Sequence, residues 1–122
     1  MAKKIMIVDD EESIRELVNA VLSLEGFEVI AAEDGQECLE KLKEVKPDLI
    51  LMDMMMPGMS GRETIEKIRK NPKTKDLKII FLTVARFSET GKDTLKKMNI
   101  LDYITKPFDN DDLIRRVKKL VN

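Results

Sequence analysis

The stretch Asp48-Leu49-Ile50-Leu51-Met52-Asp53 (DLILMD) is an apolar run that ends on an aspartate. It is one of five short apolar runs, rich in branched residues, that alternate with five segments of helical periodicity. This alternation is typical of a parallel sheet covered by helices on both faces. We therefore predict a doubly wound α/β fold with strand order 2-1-3-4-5. The predicted strands are residues 4–8, 27–31, 48–52, 78–82 and 102–105.

Residues with cap and stop signals mark the ends of the predicted helices. Ser13 with Glu16, and Ser60 with Glu63, have the spacing of a capping box at the starts of the first and third helices. The fourth helix, roughly residues 88–98, has few apolar markers. The other end signals are Gly26 after the first helix, Pro47 after the second, Asn71-Pro72 after the third, and Asp109 or Asn110 as the cap of the fifth.

Length and composition limit the possible classes of protein. With 122 residues and 43% apolar content, we expect one domain over residues 1–122. The net charge of −1 provides no field for nucleic acid or an anionic membrane. No apolar run is long enough to span a bilayer, so we expect a cytoplasmic protein. We also expect it to be a monomer. There is no histidine, so carboxylates, lysine and hydroxyls must carry any chemistry.

Polar residues directly after the predicted strands share one rim of the sheet. They are Asp9 and Asp10 after the first strand, Asp53 after the third, Thr83 after the fourth and Lys106 after the fifth. Three carboxylates at one point repel each other unless a cation neutralises them. A hard divalent ion suits these oxygen ligands, and Mg²⁺ is favoured, with Mn²⁺ as the alternative.

The same residues indicate phosphoryl transfer to a carboxylate. Asp53 is the best nucleophile because it stands alone on the central strand, whereas Asp9 and Asp10 form a pair suited to holding metal. Lys106 supplies a positive charge beside Asp53. Thr83 supplies a hydroxyl that can donate to a phosphoryl oxygen.

Four motifs, in order over the whole chain, resemble those of response-regulator receiver domains of two-component signalling, in particular the stand-alone chemotaxis-regulator type. The resemblance implies the flavodoxin-like (βα)5 receiver fold. The motifs are Ile7-Val8-Asp9-Asp10-Glu11, Leu51-Met52-Asp53 with Pro57-Gly58, Phe81-Leu82-Thr83, and Asp102-Tyr103-Ile104-Thr105-Lys106-Pro107-Phe108.

The resemblance implies a role for each carboxylate. Asp53 takes a phosphoryl group from the phosphohistidine of a histidine kinase or phosphotransfer protein. Asp10 and Asp53 coordinate Mg²⁺, Asp9 acts through metal-bound water, and the backbone carbonyl of Met55 completes the protein ligands. The chain is then no classical enzyme, but it promotes its own phosphorylation and slow hydrolysis of the acyl phosphate.

The resemblance also implies a switch. Lys106 contacts the phosphoryl group, Thr83 and Tyr103 form the switch pair, and the Lys106-Pro107 bond is cis. Phosphorylation then remodels the face of the fourth helix, fifth strand and fifth helix, which controls a separate target protein. The sequence departs from the family pattern at Val84, where a small residue is usual, and at Asn99-Ile100, which replaces a common Gly-Ala.

Three other functions compete with this hypothesis. A dehalogenase-type phosphatase would need an aspartate where Met55 stands. A flavodoxin-like cofactor carrier would need glycine and hydroxyls in a first loop that here reads Asp9-Asp10-Glu11-Glu12, which repels phosphate. The third alternative is a constitutive binding module with a vestigial site, which retention of all five rim residues argues against.

Overall fold

A five-stranded parallel sheet in the order β2-β1-β3-β4-β5 forms the centre of the fold and confirms the predicted topology. The computed structural model describes residues 2–84, 93 and 95–122. The strands are β1 (Lys4–Val8), β2 (Glu28–Ala32), β3 (Leu49–Asp53), β4 (Ile79–Thr83) and β5 (Asp102–Thr105).

Helices cover both faces of this sheet. They are α1 (Glu12–Leu24), α2 (Gly35–Lys41), α3 (Gly61–Lys70) and the C-terminal helix (Asn110–Val121). Asp93 and residues 95–97 are helical, but most of the predicted fourth helix, residues 88–98, lies outside the described residues. Among the described residues, none of the helices combines the length and the apolar character that a membrane span requires.

Alternate residues of the strands pack on opposite faces of the sheet, as the two-residue period of a strand requires. Both faces are buried along β3 and, from Ile5 to Val8, along β1. This burial explains why these two strands read as continuous apolar runs. Met6, Val8, Ile50 and Met52 belong to one cluster, and Ile5, Ile7, Leu49 and Leu51 to the other.

Three strands end one residue later than the sequence predicts. Asp53 and Thr83 are the last residues of β3 and β4, not the first residues after them. The ladder continues past the apolar runs because Met54 N donates to Leu82 O at 3.1 Å and Lys106 N donates to Thr83 O at 2.7 Å. Both side chains are therefore held at the rim by sheet hydrogen bonds.

The two predicted capping boxes have different outcomes. The box of Ser60 and Glu63 is confirmed, since Ser60 Oγ accepts a hydrogen bond from Glu63 N at 3.1 Å. The predicted box at Ser13 is wrong, because α1 already begins at Glu12 with Glu11 as its N-cap and no side-chain cap. Helix α1 begins earlier because the chain turns directly out of β1. There, Glu11 N donates to the Asp9 carboxylate at 2.9 Å.

Candidate functional site

Three carboxylates converge at the carboxyl ends of the central strands, as predicted. Asp9 and Asp10 follow β1, and Asp53 ends the neighbouring strand β3. One oxygen of each carboxylate lies within 4.8 Å of the others. Asp9 is fully buried, Asp53 is 5% exposed and Asp10 is exposed. Asp9 and Asp53 are therefore buried, and Asp10 is open to solvent.

Lys106 joins this group from the end of β5. Its Nζ lies 2.7 Å from Asp9 Oδ2 and 3.5 Å from Asp53 Oδ1, and its side chain is 10% exposed. Burial by itself lowers the pKa of Lys106, but the hydrogen bond to Asp9 and the nearby negative charges outweigh it, so that this pKa is raised. Lys106 is therefore a permanent positive charge between the two buried acids.

Lys106 carries one positive charge against the three negative charges of the carboxylates. In this environment the pKa of Asp53 is raised. Burial, and then the charge of Asp9, raise the pKa of Asp53 from 3.8 to about 6. Lys106 and the Met55 amide act in the opposite direction, and that amide donates to Asp53 Oδ1 at 3.2 Å. These hard oxygen ligands fit a divalent cation such as Mg²⁺, which would relieve the repulsion.

The other residues predicted for the site are placed around this centre. Thr83 is 3% exposed. Its carbonyl accepts a hydrogen bond from the Lys106 amide, which connects the ends of β4 and β5 beside the acids. Tyr103 is half-buried on β5, directly opposite Phe81 in the register. Because Thr83 lies two residues beyond Phe81, Thr83 and Tyr103 lie on the same face of neighbouring strands. The side chain of Met55 is exposed, and its backbone amide contacts Asp53.

The structure confirms one backbone feature implied by the family resemblance and gives an account of one departure from the family pattern. The Lys106-Pro107 bond is cis. Asn99 has a φ of 57°, in the left-handed region that asparagine tolerates.

Sequence reasoning missed two residues that support the acids. Arg15 Nη1 donates to the Asp9 carbonyl at 2.8 Å, and only the folded start of α1 brings them together. Gly61 N donates to Met54 O at 3.1 Å, and a Cβ at Gly61 would lie 2.2 Å from the Asp53 carbonyl oxygen. A glycine just after the capping serine of α3 was the available signal for this close contact.

Comparison with known proteins agrees with this geometry. A family model described as the response regulator receiver domain matches residues 5–118. The phosphate regulon transcriptional regulatory protein PhoB of Escherichia coli K12 is 39% identical over 128 aligned residues, which cover 99% of this chain and 52% of PhoB. The chain thus spans about half the length of the curated relatives it matches.

Solved structures give the same result. The chemotaxis protein CheY4 of Vibrio cholerae has a TM-score of 0.91 at 32% identity, covering 98% of this chain and 99% of that one. The receiver domain of a sensor histidine kinase from Pseudomonas aeruginosa PAO1 has a TM-score of 0.86 at 24% identity, covering 99% of this chain and 98% of that one. That second structure is described as having a magnesium ion coordinated in its active site cleft, and its likeness to this chain concerns the fold alone.

Proposed function

The chain belongs to the family of response regulator receiver domains, and on that premise we propose that it is a phosphorylation-controlled switch with Asp53 as the phosphoacceptor. The observation that carries the proposal is the convergence of Asp9, Asp10 and Asp53 around the Lys106 ammonium group. A structural role alone would not call for three acids within 4.8 Å of one another, because their repulsion opposes folding.

We propose that Asp9, Asp10 and Asp53, with the backbone carbonyl of Met55, hold a Mg²⁺ ion, with Mn²⁺ as an alternative. The donor set supports this, since carboxylate and carbonyl oxygens are the ligands that these ions prefer. When bound, the ion supplies charge neutralisation for the carboxylates and for the incoming phosphoryl group.

In the proposed reaction, a carboxylate oxygen of Asp53 attacks the phosphorus of a phosphohistidine on a histidine kinase or phosphotransfer protein. A P–O bond forms, the P–N bond breaks, and the imidazole leaves with the electron pair. Lys106 lies 3.5 Å from Asp53 Oδ1, so its charge can stabilise negative charge on the phosphoryl oxygens. The Met55 amide holds Asp53 Oδ1, which orients the nucleophile.

The proposed output passes through Thr83 and Tyr103. A phosphoryl group on Asp53 attracts the Thr83 hydroxyl, and Tyr103 turns into the space that the hydroxyl leaves. This changes the face that β5 and the C-terminal helix are expected to share with the predicted fourth helix, and that face then controls a downstream partner. Support comes from the placement of both residues on one face of adjacent strands.

Phosphorylation with acetyl phosphate and Mg²⁺, followed by intact-mass spectrometry, tests the acceptor. We expect one added phosphoryl group in the unaltered chain and none in the Asp53→Ala variant. The Asp10→Ala variant should lose the metal-dependent reaction. Asp111→Ala is the matched control, because Asp111 is an exposed acid of the C-terminal helix.

Two outcomes would contradict the proposal. Undiminished modification of the Asp53→Ala variant would place the acceptor elsewhere. A chain that stays unmodified, although it is folded and binds Mg²⁺, would favour the constitutive binding module.

A further inference from the structure

A cleft between α2 and α3 combines an apolar floor with lysine walls. It has a volume of about 360 Å³ and is lined by Leu39 and Leu42, by Lys43, Lys67 and Lys73, and by Asn71 and Thr74. It lies at the C-terminal end of α3, whereas the carboxylate site lies against the N-terminal end of this helix. The cleft is therefore separate from the proposed phosphorylation site.

The cleft continues into a second depression of about 210 Å³. Leu42, Lys43, Lys73 and Thr74 line both depressions. The second adds the apolar side chains of Val45 and Leu77 and one opposite pair of charges, Glu44 and Lys46. Leu39 and Leu42 are only partly buried, although they pack against the core. Two adjoining depressions that each contain leucine side chains suit an elongated ligand with more than one apolar side chain, such as a helix laid into a groove.

The segment that ends α3 and follows it is basic, unlike residues 1–83 as a whole. Residues 67–75 contain five Lys and Arg and no acid, although residues 1–83 together carry a net charge of −4. Among the described residues, the wall of the larger cavity has no carboxylate. Within the same part of the chain, no ion pair involves Lys67 or Lys73, and Lys43 pairs with the exposed Glu40 at 3.3 Å. The lysine charges are thus largely available to a ligand.

From these observations we infer that the α2–α3 cleft is a docking site for an acidic, leucine-bearing segment of a partner protein. The apolar side chains of that segment would cover Leu39 and Leu42, and its carboxylates would face Lys67 and Lys73. Such opposite charges steer association and make it depend on salt.

A defined peptide can serve as the probe: a fluorescein-labelled, alanine-rich peptide of about 16 residues that can form a helix, with leucines at i, i+4 and i+7 and several glutamates beside them. Fluorescence anisotropy with the full chain should show binding that weakens with added salt. We expect the Lys67→Glu/Lys73→Glu variant to bind roughly tenfold more weakly or worse. Replacing the leucines of the peptide by serine should abolish binding to the unaltered chain.

Lys97→Glu/Lys119→Glu is the matched control, because both lysines are exposed and the change in net charge is the same. It should bind like the unaltered chain, and backbone NMR shifts caused by the peptide should cluster at α2 and the end of α3. Equal weakening in both double variants, or shifts on another face, would overturn the inference. Displacement of the peptide by millimolar inorganic phosphate would also overturn it in favour of a small-anion site. The inference does not depend on phosphorylation, since every measurement uses the unphosphorylated chain.

Discussion

At the scale of single residues, the protonation of Asp53 is set by its surroundings. Its pKa is raised to about 6 by burial and by Asp9, whereas Lys106 and the Met55 amide only partly compensate. A carboxyl group whose pKa is higher in the folded chain than in the unfolded chain favours folding while it is protonated. Stability from this group is therefore present at low pH and is lost as the pH rises through about 6.

Asp53→Asn should therefore stabilise the metal-free protein, and more strongly at high pH. In EDTA, we expect its gain in the free energy of unfolding to be about 1 kcal/mol larger near pH 8 than near pH 5, because asparagine has no charge to bury. Urea unfolding followed by circular dichroism at the two pH values measures this difference. The exposed Asp111→Asn variant should show no such trend, and a flat difference for Asp53→Asn would disprove the explanation.

Gly61 supports Asp53 by leaving space for its backbone. A Cβ on residue 61 would meet the Asp53 carbonyl oxygen at 2.2 Å, and Gly61 is held in place because its amide donates to Met54 O. Gly61→Ala should destabilise the protein by about 1 to 3 kcal/mol. It should also slow phosphorylation by acetyl phosphate, because Asp53 must move. The neighbouring exposed Arg62→Ala should do neither, and a normal phosphorylation rate in Gly61→Ala would argue against this role.

At the scale of elements, Arg69 is the residue that ties α3 to the loops at the far edge of the sheet. Its guanidinium donates to the carbonyls of Lys75 and Leu77 at 2.7 and 2.8 Å. It also donates to the carbonyls of Met98 and Asn99, both at 3.0 Å. The planar fork of arginine can serve several carbonyls at once, which a lysine ammonium cannot. Arg69 thus joins α3 to the entries of β4 and β5.

Arg69→Lys should consequently destabilise the fold although the charge is retained. We expect a loss of about 2 to 4 kcal/mol in the free energy of unfolding, because backbone acceptors lose their donors. Chemical denaturation measures the loss, and Arg62→Lys, on the exposed side of the same helix, is the control. If Arg69→Lys were as stable as the control, the contacts with the carbonyls would contribute little to the free energy of unfolding.

At the scale of the whole molecule, the proposed switch connects the acid site to a face with a different charge. Residues 84–122 carry nine Lys and Arg against six Asp and Glu, a net charge of +3, whereas residues 1–83 carry −4. Arg116 on the C-terminal helix pairs with Asp102 of β5 and with Asp112. The Arg116–Asp102 ion pair therefore joins the helix to the strand, and a shift of β5 would disturb it.

Thr83→Ala should leave Asp53 open to modification but uncouple it from this face. A phosphoryl group shifts a two-state equilibrium only through contacts that differ between the states, and Thr83 is proposed to supply that difference. With beryllofluoride and Mg²⁺, NMR shifts at Tyr103 and along the C-terminal helix should appear in the unaltered chain and largely vanish in Thr83→Ala. Thr105→Ala, opposite Thr83 in the register, is the control. Equal remote shifts in both variants would remove Thr83 from the switch.

Much of the fold and of the candidate site follows from local sequence patterns. The apolar runs predicted the strands to within one residue, and the Ser60 box predicted the start of α3. Burial on both faces gives β1, β3 and β4 continuous apolar runs, and an aspartate or threonine marks the point where each of these runs ends. Asp9, Asp10, Asp53 and Lys106 could thus be grouped from the sequence because parallel strands end at one rim.

Contacts between distant segments were decided only by the tertiary structure. The capping box predicted at Ser13 does not start the helix, because α1 already begins at Glu12, directly after the turn out of β1. Arg15 reaches the Asp9 carbonyl, and Gly61 lies against Asp53, only when helix and strand are packed together. The order of elements and the types of residue at their ends are local properties that the chain carries in its sequence. Distances, burial and the raised pKa of Asp53 arise from residues far apart in sequence, so only the packed molecule determines them.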